Sequence, residues 1–278
     1  MSRVRKLTLQ EWFLEHQLRH IRDSHVHYPL QMDVDVSHLV QAAEARGTEL
    51  LPTPLVIKAA ACLLREHPEL NQLYMRTPMG ARVLELDSVR VNLPVSLQHP
   101  DGDYLSGMVL DAPCDRSPES IAAEIRAFKA TDPRTLPLGR VLVGGRNTLV
   151  NRTRLRVMHH LAYGQPRLYA RFGGAISVSS VARRHASGSW LRGMAFGPTP
   201  LTLLLTAVER CEDGRTQLSL GVGYDHTIVP GSTFAAAMQT LSGVFRDERL
   251  LRGGVWDRGV CSTTATATTQ ATTTATAT

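Results

Sequence analysis

The chain has 278 residues, of which 43% are hydrophobic, and a formal net charge of +6 at pH 7. It contains no apolar run near the roughly 18 residues that a membrane span requires, and the segment after the basic N-terminus is too polar for a secretory signal. These features exclude the membrane-spanning and secreted classes. We expect a globular, cytoplasmic protein with one main core.

The four cysteines, Cys62, Cys114, Cys211 and Cys261, are scattered and form no Cys-x-x-Cys pair. Their spacing argues against a disulfide framework and against a zinc site. The sequence also lacks the Gly-x-Ser-x-Gly elbow of serine hydrolases, the His-Glu-x-x-His metal set and a phosphate-binding glycine loop. No metal ion is therefore expected.

In the N-terminal half, residues 8–11 form a capping box that predicts a helix to about Arg22. Alternation over 30–36 predicts a half-buried strand, and Ser37 is a candidate N-cap for a helix over 39–45. Further along, the pattern predicts a helix over 55–66, a hairpin of strands over 89–97 and 104–110, and a helix from Ser117 through Phe128.

The positive charge is concentrated in one part of the chain, since ten arginines and no Asp or Glu lie between Pro133 and Arg184. Within it, residues 134–171 are predicted to form an insertion of basic amphipathic helices interrupted by Gly144 and Gly145. Such helices contact a membrane surface, bind an anionic partner, or cover the apolar face of their own domain, and the sequence leaves these alternatives open.

The C-terminal half is predicted to contain strands over 175–181, 201–207 and 216–225, the last two joined by a turn at 212–215. Ser232 is a candidate N-cap for a final helix. Residues 261–278 are a Thr/Ala-rich tail with few large apolar groups, so we expect this tail to be disordered.

His226 follows the last predicted strand and precedes the last predicted helix. A histidine held between two such elements, with its ring facing a cleft, is suited to proton transfer at neutral pH. On local sequence alone, the alternative is a turn histidine whose ring caps a backbone group.

Several segments resemble the catalytic domain of the 2-oxoacid dehydrogenase dihydrolipoamide acyltransferases, which shares its fold with chloramphenicol acetyltransferase. Residues 225–231, Asp-His-Thr-Ile-Val-Pro-Gly, resemble the signature Asp-His-Arg-x-x-Asp-Gly. Residues 55–71 resemble the family segment that ends in His-Pro-Glu-Leu-Asn, and residues 175–181 resemble Phe-Thr-Ile-Ser-Asn-Leu-Gly. The resemblance covers most of residues 3–250 in order.

The resemblance implies an α/β two-layer sandwich over residues 1–260, with a mixed β-sheet flanked by helices, of the coenzyme A-dependent acyltransferase (chloramphenicol acetyltransferase-like) fold. It implies transfer of an acyl group from a coenzyme A thioester to a small thiol, hydroxyl or amine acceptor, or exchange with a carrier-bound acyl group. His226 is then the general base, and Ser179 donates a hydrogen bond to the reacting oxygen. In that family the site is shared between subunits of a trimer, so a homotrimer or a multiple of trimers is expected.

The resemblance also implies roles for the loop and for two arginines. Asp225, Thr227 and Gly231 are expected to support the His226 loop, and Arg183 and Arg184 to bind the phosphates of coenzyme A. Thr227 stands where the family has an arginine, and Pro230 stands where it has an aspartate. These departures leave open a non-catalytic scaffold or assembly protein with the same fold.

No nucleic-acid binding is expected, because few aromatic residues are interleaved with the arginines. We also expect no lipoyl domain and no lipoyl group on this chain, which resembles the catalytic domain alone.

Overall fold

A computed structural model describes residues 5–77, 80–100, 102–166, 168–169, 173–182 and 199–256. The strands are β1 (His27–Asp35), β2 (Gln72–Thr77), β3 (Gly80–Glu85), β4 (Arg90–Leu97), β5 (Tyr104–Asp111), β6 (Ile176–Ser180), β7 (Leu201–Arg210) and β8 (Thr216–Asp225). The helices are α1 (Leu9–Ser24), α2 (Ser37–Glu44), α3 (Pro52–Glu66), α4 (Pro118–Lys129), α5 (Gly139–Leu142), α6 (Leu149–Gly164) and α7 (Gly231–Val244). The predicted tail at 261–278 lies outside the described residues.

Within the described residues, six strands form one mixed sheet in the order β1-β8-β7-β6-β4-β5. The pairs β4–β6 and β6–β7 are parallel, and the other three pairs are antiparallel. The predicted hairpins β4–β5 and β7–β8 are both present. The mixed sheet flanked by helices confirms the predicted α/β fold class.

Helix α3 is the central helix of the core. Every residue from Pro54 to Leu64 is buried, because the helix packs against β6 and β7 of the sheet and against α4 and α7. The sheet face toward the core is apolar, with Ile176, Val178, Leu203 and Val222 buried. Burying one such side chain contributes about 1.5–3 kcal/mol, so this layer accounts for much of the folding free energy.

In the described part of the basic insertion, α5 and α6 are separated by the segment that contains Gly144 and Gly145. Helix α6 packs on α1 through Leu155 and His159, whose side chains are buried. The His159 ring lies 5.0 Å from the rings of both His16 and His20 of α1. Part of α6 therefore covers its own domain. None of the described helices is long and apolar enough to cross a membrane.

Two predicted helix caps are wrong. Ser37 lies in the first turn of α2, where its hydroxyl donates to the Asp35 carboxylate and accepts from the Thr216 amide. Ser232 lies inside α7, which begins at Gly231 without a side-chain cap. In both cases the helix begins one or two residues earlier than the capping pattern indicates.

The first strand is less buried than its alternation predicted. In the described part of the chain β1 pairs only with β8, so it lies at an edge of the sheet. Tyr28 and Leu30 are 48% and 50% exposed, although both belong to a strand with apolar alternation. The hairpin of β2 and β3 was not predicted at all.

Candidate active site

His226 lies one residue beyond β8. Its amide donates to the Val26 carbonyl oxygen at 2.8 Å, which extends the β1–β8 pairing by one residue. The side chain is exposed, and its ring centroid lies 5.2 Å from that of Tyr28 and 5.8 Å from that of Tyr224. The ring therefore lies at the end of β8, beside two tyrosines and open to solvent.

Asp225, directly before His226, is completely buried. Its Oδ2 lies 2.6 Å from Nδ1 of His25, and its Oδ1 accepts hydrogen bonds from the amides of Val26 and Thr227 at 3.1 and 3.0 Å. Burial raises the pKa of Asp225, but the hydrogen bonds from His25 and Thr227 lower it by more than this, so that the pKa is about 2. The carboxylate is therefore ionised at neutral pH.

The remaining loop residues are held by the backbone. The amides of Ile228 and Val229 donate to the Asp225 carbonyl oxygen at 3.3 and 3.0 Å, which closes the turn after His226. Pro230 has a φ of −62°, a value that its ring favours, and it precedes the first residue of α7. Thr227 is exposed, and no atom lies within 4 Å of where a Cβ on Gly231 would stand. Thr227 contributes its amide, while Gly231 marks the helix start without a steric need for glycine.

Ser179 lies in β6, where it pairs with Leu204 of β7, which in turn pairs with Gly221 of β8. His226 is five residues beyond Gly221. At roughly 3.3 Å per residue and roughly 4.8 Å per strand, Ser179 and His226 are about 17 Å apart along the strands and about 10 Å apart across them. Within one chain these two side chains do not reach a common substrate atom.

A cleft of about 390 Å³ opens at the C-terminal ends of β6 and β7. Its lining includes Ser180 and Ala182, Leu205 of β7, and Glu44 and Glu49 at and after the end of α2. Because successive side chains of a strand point to opposite faces, Ser180 rather than Ser179 faces this cleft. His226, for which the sequence predicted a cleft, does not line it.

Arg183 and Arg184, the predicted phosphate ligands, lie outside the described residues. Within the described ranges, no group of three or more His, Cys, Asp or Glu side chains is arranged to hold a metal ion.

No sequence motif marks His25 as part of the site. Its side chain is 3% exposed and binds a carboxylate 200 residues away in the chain. The only available signal was indirect, since an aspartate that ends a buried strand requires a partner.

No protein-family model matches the sequence, and no curated protein is significantly similar to it. Similarity is found among solved structures. The cubic core of the pyruvate dehydrogenase multienzyme complex has a TM-score of 0.58 and 19% identity, over 90% of this chain and 94% of that chain. The dihydrolipoamide acetyltransferase of Azotobacter vinelandii gives the same values.

A truncated catalytic core of the 2-oxoacid dehydrogenase multienzyme complex from Thermoplasma acidophilum is similar as well. Its TM-score is 0.59 at 15% identity, over 89% of this chain and 99% of that chain. The sheet order, the flanking helices and these neighbours agree with the predicted resemblance. The chain therefore has the fold of the catalytic cores of the 2-oxoacid dehydrogenase acyltransferases.

Proposed function

We propose that the protein is an acyltransferase that moves an acyl group from a coenzyme A thioester to a small thiol, hydroxyl or amine acceptor. The observation that carries the proposal is the placement of His226. Its imidazole is exposed at the end of β8. The preceding residue, Asp225, is fixed through its own fully buried, ionised carboxylate. A rigid backbone with an accessible ring is what general-base catalysis requires. In the Azotobacter vinelandii enzyme, a serine, a histidine and an asparagine were investigated for their role in the catalytic mechanism.

In the proposed reaction, the His226 imidazole takes the proton of the acceptor while the acceptor attacks the thioester carbonyl carbon. The carbonyl π electrons move to the oxygen, and the Ser179 hydroxyl donates a hydrogen bond to that oxyanion. When the tetrahedral intermediate collapses, the carbon–sulfur bond breaks and the thiolate of coenzyme A takes the proton back from His226. The products are the acylated acceptor and free coenzyme A.

The separation of Ser179 and His226 within one chain supports a site formed by two copies. Beside His226, three apolar residues of the edge strand β1 and of the segment before it are largely exposed. Their exposed fractions are 56% for Val26, 48% for Tyr28 and 50% for Leu30. An exposed apolar strand at a sheet edge promotes association, because contact with another chain removes its apolar side chains from water. We assign the assembly as a homotrimer or a multiple of trimers, in which His226 of one chain meets Ser179 of the next.

The cleft beside β6 lies on the sheet face opposite to the Ser179 side chain, so the reacting thioester is not assigned to it. The carboxylates of Glu44 and Glu49 in its lining repel phosphate groups. The phosphates of coenzyme A are therefore assigned to Arg183 and Arg184, which directly follow Ala182 in the chain.

The exposed side of α6 supports a separate proposal, contact with an anionic membrane surface. It carries the exposed apolar residues Leu149, Val150, Val157 and Leu161. Arg154 and Arg156 are exposed on the same helix, and the chain has no Asp or Glu between Pro133 and Val208. Apolar side chains combined with arginines suit the interface of an anionic bilayer.

A thiol-release assay tests the enzyme proposal, with acetyl-coenzyme A and thiol, amine and alcohol acceptors. His226→Ala is expected to abolish turnover, and Ser179→Ala to lower it by roughly two to three powers of ten. His160→Ala, at an exposed histidine of α6, and Ser242→Ala, in α7, are matched controls that should keep full turnover. Absence of turnover in the wild type with every acceptor favours the scaffold alternative, which the substitutions at Thr227 and Pro230 motivate.

A further inference from the structure

A buried histidine–carboxylate pair lies next to the proposed catalytic histidine in the fold. His25 follows the last residue of α1, and Asp225 is the last residue of β8. Their side chains are 3% and 0% exposed, and Nδ1 of His25 lies 2.6 Å from Oδ2 of Asp225. Since an ionised carboxylate only accepts hydrogen bonds, Nδ1 is the donor in this contact.

The same carboxylate binds the backbone on both sides of the site. Its Oδ1 accepts from the amide of Val26, next to His25, and from the amide of Thr227, next to His226. The His226 amide donates to the Val26 carbonyl oxygen. Three hydrogen bonds thus join the segment 25–26 to the segment 225–227, and a fourth, from the Thr227 amide, binds the second segment to the same carboxylate.

The surroundings of His25 limit the positions available to its ring. The rings of Tyr74 in β2 and His27 in β1 each lie 5.6 Å from it, at interplanar angles of 74° and 41°. The ring is therefore enclosed by side chains from two different sheets. A buried carboxylate without its partner would be strongly disfavoured, so the position of Asp225 depends on His25.

We propose that His25 is a positioning residue for acyl transfer, which fixes Asp225 and through it the backbone on both sides of His226. This inference rests on the proposed function, because it assigns to His226 a proton transfer that needs a fixed geometry. His25 itself touches neither substrate nor reacting atoms. A displacement of about 1 Å at a catalytic group lowers turnover on the order of 100-fold.

A positioning role and a purely structural role predict different kinetics. If His25 fixes only the base, its loss lowers kcat and leaves the KM for the acyl donor unchanged, because the His25 side chain is 3% exposed and does not touch the donor. A general loss of structure changes both constants, the melting temperature and the oligomeric state together.

The test compares His25→Ala with His25→Asn in the full chain. The amide of Asn stands near the position of Nδ1 and can donate to Asp225, whereas Ala cannot. We expect kcat to fall on the order of 100-fold in His25→Ala and to recover largely in His25→Asn, with an unchanged KM for acetyl-coenzyme A. His16→Asn, in the preceding helix α1 and outside the pair, is the matched control and should keep the wild-type kcat.

Hydrogen exchange of the Thr227 amide gives a readout that does not depend on turnover. Its protection should be lost in His25→Ala and retained in His25→Asn, and this comparison covers the case in which His25→Ala is too unstable for kinetics. A wild-type kcat in His25→Ala, with His226→Ala inactive, would overturn the positioning role and leave the proposed function intact. No turnover in the wild type would overturn both, and unchanged Thr227 protection in His25→Ala would overturn the positioning role alone.

Discussion

Removing the charge of Asp225 tests the pair that holds the candidate catalytic loop. In Asp225→Asn the oxygen that accepts from Val26 and Thr227 is retained, while the negative charge beside His25 is lost. The pKa of Asp225 in the folded chain is about 2, because the hydrogen bonds from His25 and Thr227 outweigh the effect of burial, and its ordinary value is 3.8. This difference corresponds to about 2 kcal/mol of folding free energy at neutral pH.

The sign of the pH dependence follows from the lowered pKa. The stabilisation is present above the unfolded value of 3.8 and is lost as the pH falls through that value toward about 2. The free energy of unfolding of the wild type should therefore be about 2–4 kcal/mol higher than that of Asp225→Asn at pH 7. This difference in stability, the gap, should be about 1 kcal/mol smaller at pH 3.

Urea unfolding at a fixed protein concentration measures this gap, since the stability of an oligomer depends on concentration. Asp111→Asn is the control, because the Asp111 side chain is 72% exposed and its removal should cost less than about 0.5 kcal/mol. Equal stabilities of wild type and Asp225→Asn at pH 7, or a gap that is the same at pH 7 and pH 3, would refute the assigned role of the carboxylate.

Two further predictions concern the basic parts of the chain. Replacing Arg183 and Arg184 by Ala should weaken coenzyme A binding and reduce its dependence on salt, as measured by calorimetry at two ionic strengths. If the double variant still binds coenzyme A in a salt-sensitive way, neither arginine belongs to the site. The wild-type protein should sediment with anionic phospholipid vesicles and not with zwitterionic ones. Val157→Asp should abolish sedimentation with anionic vesicles, whereas the control Leu105→Asp on β5 should not. Equal sedimentation of both variants would exclude α6 as the membrane contact.

Local patterns were sufficient to predict most of the elements. Ser117 caps α4 because its side chain accepts from the Ser120 amide, and the turn at 212–215 joins β7 and β8 as its composition indicated. Ser37 and Ser232 were assigned wrongly because a serine near a helix start has competing partners, such as the Asp35 carboxylate. These errors moved helix boundaries without changing the topology.

The candidate site was only partly predictable. The sequence identified Asp225 and His226 through one contiguous motif, but it gave no indication of His25, whose contact with Asp225 spans 200 residues. The distance between Ser179 and His226 depends on strand order and register, which alternation along single strands does not encode. The cleft beside Ser180 likewise arises from segments that are far apart in the chain.

The shared site is tested most directly by mixing two inactive variants. When His226→Ala and Ser179→Ala chains are refolded together in equal amounts, about one quarter of the interfaces of a cyclic trimer should combine an intact His226 with an intact Ser179. We predict recovery of about one quarter of the wild-type thiol release, far above either variant alone. Activity of the mixture no greater than the mean of the two separate variants would contradict a site formed between two chains.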